Sequence, residues 1–164
     1  MKTEIEVKQL CDEGFSAEEL LCRFREVTAV EDRGTEVHRD SYYDTATRAL
    51  LAAGLTARCR TRAGDRALEV KLVPLIPELI MRRIEISEPW PQPQPAGPGL
   101  RRLVEDALGY GVEGRLEEQL TLETRRQRYA VSSADCRAEL CIDDVAVHRN
   151  GDGPNESFLE VELE

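Results

Sequence analysis

Residues 55–72 read LTARCRTRAGDRALEVKL. On either side of a turn at AGDR (63–66) charged and apolar side chains alternate with period two, which predicts two strands, 55–62 and 67–72, in an antiparallel hairpin. Period-two geometry puts Arg58, Arg60 and Arg62 on one face of the first strand, and Glu69 and Lys71 on one face of the second, against Leu68, Val70 and Leu72. A sheet with one solvated face accounts for alternating charge. It does not account for stacked like charge, because arginines along one strand face repel unless something negative lies between them.

The same reading extends in both directions. TEIEVK (3–8) is a strand with Glu4, Glu6 and Lys8 on one face and Ile5 and Val7 on the other. Ser16 caps a helix over AEELLCRFREV, VEDRGT (30–35) reads as a turn, and TEVHRDSYY (35–43) as the second strand. DTATRALLAAG (44–54) is a short helix, capped by Asp44 or Thr45 and stopped by Gly54. LIMRRIEIS (79–87) places Arg83 and Glu85 opposite Ile84 and Ile86. EPWPQPQPAGPG (88–99) holds five of the eight prolines, which excludes a helix interior or a central strand and predicts a connector, with Trp90 packing it onto the sheet. LRRLVEDALGY (100–110) is a helix. Strands follow at 116–131 with Arg126 and Arg128 in phase, at 136–147 with Glu139 and Asp143 in phase, and at 156–164 with Glu160, Glu162 and Glu164 in phase; SSAD and NGDGPN separate them.

Eight strands joined mostly by short links predict an α+β fold, a closed eight-stranded and mostly antiparallel β-barrel with a few flanking helices, in one domain over residues 1–164. Apolar residues face outward under the helices and charges face inward, which leaves room for one small ligand. That ligand has to be polyanionic to satisfy the arginines. The carboxylates of the acidic strands would repel it, and a hard divalent cation, Mg²⁺ or Mn²⁺, resolves the conflict by taking carboxylate and phosphate oxygens together. The expectation is of carboxylates on one wall, cations on the other and metal between.

The composition agrees. With 22 Lys and Arg against 32 Asp and Glu, the net charge of −10 has the wrong sign for holding nucleic acid or an anionic membrane by bulk charge. At 41% hydrophobic and 33% charged the chain is a soluble globular protein, too apolar for disorder and without a run long enough to span a membrane. The acidic opening MKTEIEVKQL lacks the apolar segment of a signal peptide, which points to the cytoplasm. The cysteines, five in number and without CxxC spacing, read as free and mostly buried thiols.

EIEVK resembles the ExExK signature of the CYTH domains, or triphosphate tunnel metalloenzymes, a family that includes inorganic triphosphatases, thiamine triphosphatases and class IV adenylate cyclases. HRDSYYDTATRALLAAGLTARCRTR, EVKL, RRIEI, RRQR, ELCIDD and FLEVELE resemble its later strands, in the family's order, from Glu4 to Glu162. Carried over position by position, the resemblance implies metal ligation by Glu4, Glu6, Glu160 and Glu162. It implies a phosphate clamp of Lys8, Arg58, Arg60, Lys71, Arg83, Arg126 and Arg128, with Glu4, Glu6, Lys8 and Lys71 as the catalytic set. Glu85, Glu139 and Asp143 match supporting acidic positions.

The implied reaction is metal-dependent hydrolysis of a small triphosphate, inorganic tripolyphosphate first and a nucleoside or thiamine triphosphate next. A non-catalytic triphosphate-binding module and a class IV type adenylate cyclase are the alternatives. Family members usually continue past the closing ExE strand with a helix or a CHAD domain, so a partner domain is expected beyond Glu164, while the oligomeric state stays open. The outward positions of the sixth strand, Thr121, Glu123, Arg125, Gln127 and Tyr129, are polar and predict a wall that either lacks helix cover or expects a partner. His38 and His148 read as surface or strand-edge residues, Arg62 divides evenly between solvent and ligand, and Glu164 is expected to fray.

Overall fold

The computed structural model describes residues 2–72, 81–91, 95–149 and 156–164, with side chains described from Ile5 and, after the gap at 73–80, from Ile84 onward. The turn expected at 150–155, the connection at 73–78, the start of the 79–87 strand and residues 92–94 of the proline segment lie outside them. In chain order the elements are β1 (Lys2–Leu10), α1 (Ala17–Val27), β2 (Ala29–Asp44), α2 (Ala49–Ala52), β3 (Leu55–Arg62), β4 (Asp65–Leu72), β5 (Met81–Pro89), α3 (Ala96–Leu108), β6 (Glu117–Ser132), β7 (Arg137–His148) and β8 (Glu156–Leu163).

The strands form one antiparallel sheet in the order β1-β5-β4-β3-β2-β6-β7-β8, and β1 bonds to both ends of that series. It does so with different halves. Lys2–Glu6 pair with β5, while Val7–Leu10 pair with β8. The sheet is therefore curled, meeting itself at a split join, and the expectation of a barrel closed along its full height is not what these registers describe. The split follows from stagger, since Met81 to Glu85 of β5 face β1 and Glu85 to Pro89 face β4.

Sequence and structure differ at two further elements. VEDRGT is not a turn: β2 runs unbroken through it, paired with β6 from Ala29↔Ser132 to Asp44↔Glu117. The turn-like residues form a bulge instead. Gly34 adopts φ 85°, its N–H donates to Asp32 Oδ1 at 2.7 Å, and the register shifts between Asp32 and Gly34. Likewise α3 begins at Ala96, within the proline segment, with Pro98 in its first turn, where the missing N–H has no intrahelical acceptor to lose. The helix expected over 44–54 is reduced to the single turn of α2, whose N-cap position is Arg48 without a side-chain cap; Asp44 lies ahead of it and its carboxylate accepts from the N–H groups of Leu50, Leu51 and its neighbour Thr45, while Thr45 Oγ1 accepts from Ala49 N–H.

Apolar side chains lie on the outside of the sheet, under helices. Leu100, Leu103 and Val104 of α3 pack with Leu55, Ala57, Leu68 and Val70 of β3 and β4, with Trp90 against them as expected. Leu21 of α1 packs with Val131 and Leu140, flanked by Phe24, Val161 and Leu163. The β2–β6 wall between these clusters carries exposed Val37, Glu123 and Arg125 and an exposed Arg39–Glu123 ion pair at 2.9 Å, although Thr121 on the same face is buried against Ser41. Among the described residues no helix is long and apolar enough to cross a membrane.

Gly99 of α3 packs tightly, since a Cβ there would stand 2.5 Å from Trp90 and 2.6 Å from Leu68. Gly99→Ala is expected to destabilise the fold by about 1–3 kcal/mol through overpacking, read as a lower midpoint in thermal or urea denaturation.

Candidate functional site

The inward phase of the strands converges on a cavity of about 210 Å³ lined by Lys8, Glu36, His38, Arg58, Arg60, Arg62, Lys71, Glu85, Arg126, Arg128, Glu139, Glu162 and Glu164. Its registers explain the meeting. Asp40 of β2 lies opposite Arg60 of β3, Arg58 opposite Glu69 of β4, and Lys71 opposite Glu85 of β5. On the other side Glu36 lies opposite Arg126, Arg126 opposite Asp143, and Glu162 of β8 opposite both Cys141 and Lys8.

Each guanidinium group is engaged. Arg60 makes a two-point contact with Asp40, both bonds at 2.8 Å, and Arg58 reaches Asp40 Oδ2 at 3.2 Å, Glu69 Oε2 at 2.6 Å and the Tyr42 hydroxyl at 3.1 Å. Arg126 grips Asp143 at 2.9 and 2.7 Å and also meets Glu162 and Glu164. Arg128 holds Glu139 at 3.0 and 2.7 Å and Glu36 at 3.2 Å, and Arg62 reaches the same Glu36 oxygen. Lys71 meets Glu85 at 3.0 Å, and Lys8 lies 3.0 Å from Glu160 and 3.6 Å from Glu162.

Titration follows these contacts. Burial alone would raise Asp40, but the hydrogen bond from Arg60 and the charge of Arg58 outweigh it and hold the carboxyl below its usual range. The Arg128 hydrogen bond does the same for Glu139. Burial opposes the charges of Lys8 and Arg126 too, yet their carboxylate partners keep both above their ordinary values. Glu160 goes the other way, raised by desolvation against the pull of Lys8. Cys141 is buried and pushed up to about 12, so it stays a thiol; Cys59 is also buried, while Cys22 and Cys136 are exposed, against the expectation of mostly buried cysteines.

Carboxylates gather in two overlapping groups whose oxygens lie within 4.8 Å of one another: Glu6, Glu162 and Glu164, and Asp143, Glu160 and Glu162. Glu162 belongs to both. Glu6 is 1% exposed with a carboxylate oxygen within 4.8 Å of one of Glu162, and its proximity together with the charges of Lys8 and Arg126 overcomes burial and holds Glu162 low. An all-oxygen, carboxylate-rich donor set fits a hard divalent cation.

Of the residues expected here, all with described side chains share this lumen or its carboxylate groups. Glu4 and Arg83 pair across β1 and β5, but their side chains lie outside the described residues. The expected segregation of charge holds only in part. Carboxylates gather where β1, β7 and β8 meet, but Glu36, Asp40 and Glu69 stand among the arginines, because antiparallel pairing sets acid opposite base at Asp40–Arg60, Arg58–Glu69, Lys71–Glu85 and Glu36–Arg126. Arg62 faces the cavity and is half exposed. Glu164 does not fray: its N–H and carbonyl both bond Glu139 at 2.9 Å. His38, expected at the surface, is 2% exposed within the lumen. Sequence reasoning missed Glu36, His38, Asp40 and Tyr42, although EVHRDSY carries the same period-two signal as the arginine strand.

Among known protein families, the CYTH domain matches residues 2–164. The chain belongs to the CYTH family. No curated protein sequence matches this CYTH chain. Solved structures share its fold: a candidate adenylate cyclase of Bacillus halodurans (17% identity, 100% of this chain and 82% of that one, TM-score 0.58) is one. A Hippeastrum protein, named as a candidate adenylyl cyclase and described as having a dominant triphosphatase activity, is another (22%, 97% and 78%, TM-score 0.59). The PH1819 protein of Pyrococcus horikoshii is a third (23%, 99% and 78%, TM-score 0.55).

The depressed carboxyls fix the sign of the acid response. Asp40 and Glu139 contribute stability that is full above their unfolded values, near 4, and is lost as pH falls through their lower folded values; Glu160 contributes in the opposite sense. The melting temperature is expected to drop as pH falls below about 4. Asp40→Asn, which leaves Arg58 and Arg60 short of counter-charge, should remove on the order of 3 kcal/mol at neutral pH and flatten that acid dependence, measured by thermal denaturation from pH 2 to 7.

Proposed function

We propose that this protein is a divalent-metal-dependent triphosphatase acting on a small triphosphate within a tunnel formed by the curled sheet, with inorganic tripolyphosphate foremost and a nucleoside or thiamine triphosphate next. The observation that carries the reading is the convergence of five arginines and two lysines on one cavity of about 210 Å³, beside carboxylate groups that share Glu162. A cavity this small and this charged suits a chain of phosphates better than an organic moiety.

Glu4, Glu6, Glu160 and Glu162 would hold the cation, Mg²⁺ or Mn²⁺, which supplies neutralisation of phosphate oxygens and activation of a water. The protein's own groups do the rest. Arg58, Arg60, Arg126 and Arg128 exchange their carboxylate partners for phosphate oxygens, and the planar guanidinium fork fits either anion; the family resemblance adds Arg83 to this clamp. Lys8 and Lys71 act as compact charges near the phosphates. Glu85, Glu139 and Asp143 orient the cations that face the ligand. Phosphoryl transfer needs positioning and charge stabilisation rather than a covalent nucleophile, and the lumen supplies those.

The deciding experiment is phosphate release from tripolyphosphate, ATP and thiamine triphosphate, each with Mg²⁺, with Mn²⁺ and with chelator, with cyclic AMP also followed in the ATP arm. Metal-dependent release from one substrate is expected. Cyclic AMP from ATP would assign a cyclase instead, and binding without turnover of any substrate would assign a binding module. Glu162→Gln is expected to lower kcat on the order of 10²–10³-fold while the melting transition stays cooperative. Arg60→Ala should raise KM and lower kcat, each by roughly tenfold, because the clamp touches substrate and transition state alike.

A further inference from the structure

His38 sits 2% exposed on the inward face of β2, far from the surface position its sequence context suggests. Its Nε2 lies 2.6 Å from Glu36 Oε1, and its Nδ1 is buried with no hydrogen-bond partner. The other oxygen of Glu36 is shared by Arg62 of β3 and Arg128 of β6. Both Glu36 oxygens act as acceptors, one toward the two guanidinium groups and the other toward Nε2, so Nε2 is the protonated nitrogen that donates and the unpartnered Nδ1 is the free base. One carboxylate thus joins three cavity-lining groups, two permanent cations and one base able to become a cation.

We propose that His38 is the proton acceptor of the tunnel: an anionic ligand that draws Arg62 and Arg128 off Glu36 leaves that carboxylate to His38, whose Nδ1 takes a proton from solvent. The proposal rests on the tunnel being the anion site. Its balance is simple, since one proton adds to imidazole and no other bond changes.

The surroundings set the direction. On its own strand His38 faces Glu36 and Asp40; across from it are Arg60 and Arg62 on β3 and Thr124 and Arg126 on β6. In the ligand-free molecule burial and the charges of Arg60 and Arg126 keep its imidazole below the ordinary histidine value, against the pull of Glu36. A polyanion among the arginines cancels their repulsion, and the loss of Arg62 and Arg128 from Glu36 strengthens the remaining acidic partner. Both changes raise the proton affinity of His38. By linkage the ligand then binds more tightly as pH falls across the interval between the free and bound values, by up to about tenfold per pH unit.

The chain contains two histidines, so the imidazole resonances of the wild-type protein suffice, with His148 as internal control. The probe is the imido-bridged, non-hydrolysable analogue of tripolyphosphate with Mg²⁺, its binding followed by calorimetry on the same samples in buffers of different ionisation enthalpy. The expected result is that the His38 resonance shifts toward its protonated position on saturation near pH 7 while His148 does not. Wild type should take up as much as one proton more per bound ligand than His38→Gln. Heat of binding with an unmoved His38 resonance, or equal uptake in wild type and variant, overturns the assignment while leaving the tunnel site intact. No heat of binding at millimolar analogue overturns the tunnel reading itself, and His38 with it.

Discussion

Arginines that share one face of a strand cannot be drawn out of water unless an anion stands between them, and in this protein that anion is Asp40. One carboxylate, 3% exposed, holds Arg60 through both oxygens and Arg58 through one. The contact exists only while β2 and β3 keep the register that sets Asp40 opposite Arg60. A slip of one residue would turn Asp40 outward and leave two buried guanidinium groups facing each other. The same logic recurs at Asp143 with Arg126 and at Glu139 with Arg128, so the ion pairs specify how the sheet is assembled. Their net contribution to stability is a separate matter. Desolvation offsets most of the attraction in a buried pair, and the free energy of folding comes mainly from the apolar layers beneath α3 and α1.

On the proposed function such an interior is poised for exchange. A phosphate chain presents the same bidentate oxygens that the carboxylates present, so an arginine passing from Asp40 or Glu139 to ligand keeps its geometry and its degree of desolvation. What changes is the carboxylate left behind. Glu6, Glu160 and Glu162 can turn to a divalent cation, and Glu36 has His38. On the proposed function the lumen therefore holds a second partner for Glu36 and for the carboxylates that meet at Glu162.

Much of this was legible because period two is a local property. The hairpin at 55–72, the inward arginines and the closing ExE strand are written in alternation alone, and Trp90 packs as its flanking residues imply. What escaped was set by partners distant in sequence. Residues 30–35 hold Asp32 and Gly34 in a turn-like context, and only pairing with β6, roughly a hundred residues later, makes them a bulge in a continuous strand. A turn at that stretch removes the weight of the alternation of Glu36, His38 and Asp40 just after it, which hides the counter-charges from a local reading. The start of α3 among prolines escaped for a similar reason, since burial of Leu100, Leu103 and Val104 against the sheet outweighs a poor local propensity.

The join of the sheet is where fold and chemistry meet most closely. β1 passes its hydrogen bonds from β5 to β8 between Glu6 and Val7, so it has fewer lateral bonds there than a strand paired on both sides throughout. At that point Glu6 turns inward to meet Glu162 of β8, and Lys8 reaches Glu160 and Glu162 across the same boundary. The Lys8 ion pairs thus reinforce the half of β1 already paired with β8, and at the handover itself two carboxylates, Glu6 and Glu162, come together. A cation held between Glu6 and Glu162 would span the two strands where the sheet is least continuous, so the group that prepares the lumen for phosphate would also draw its wall shut.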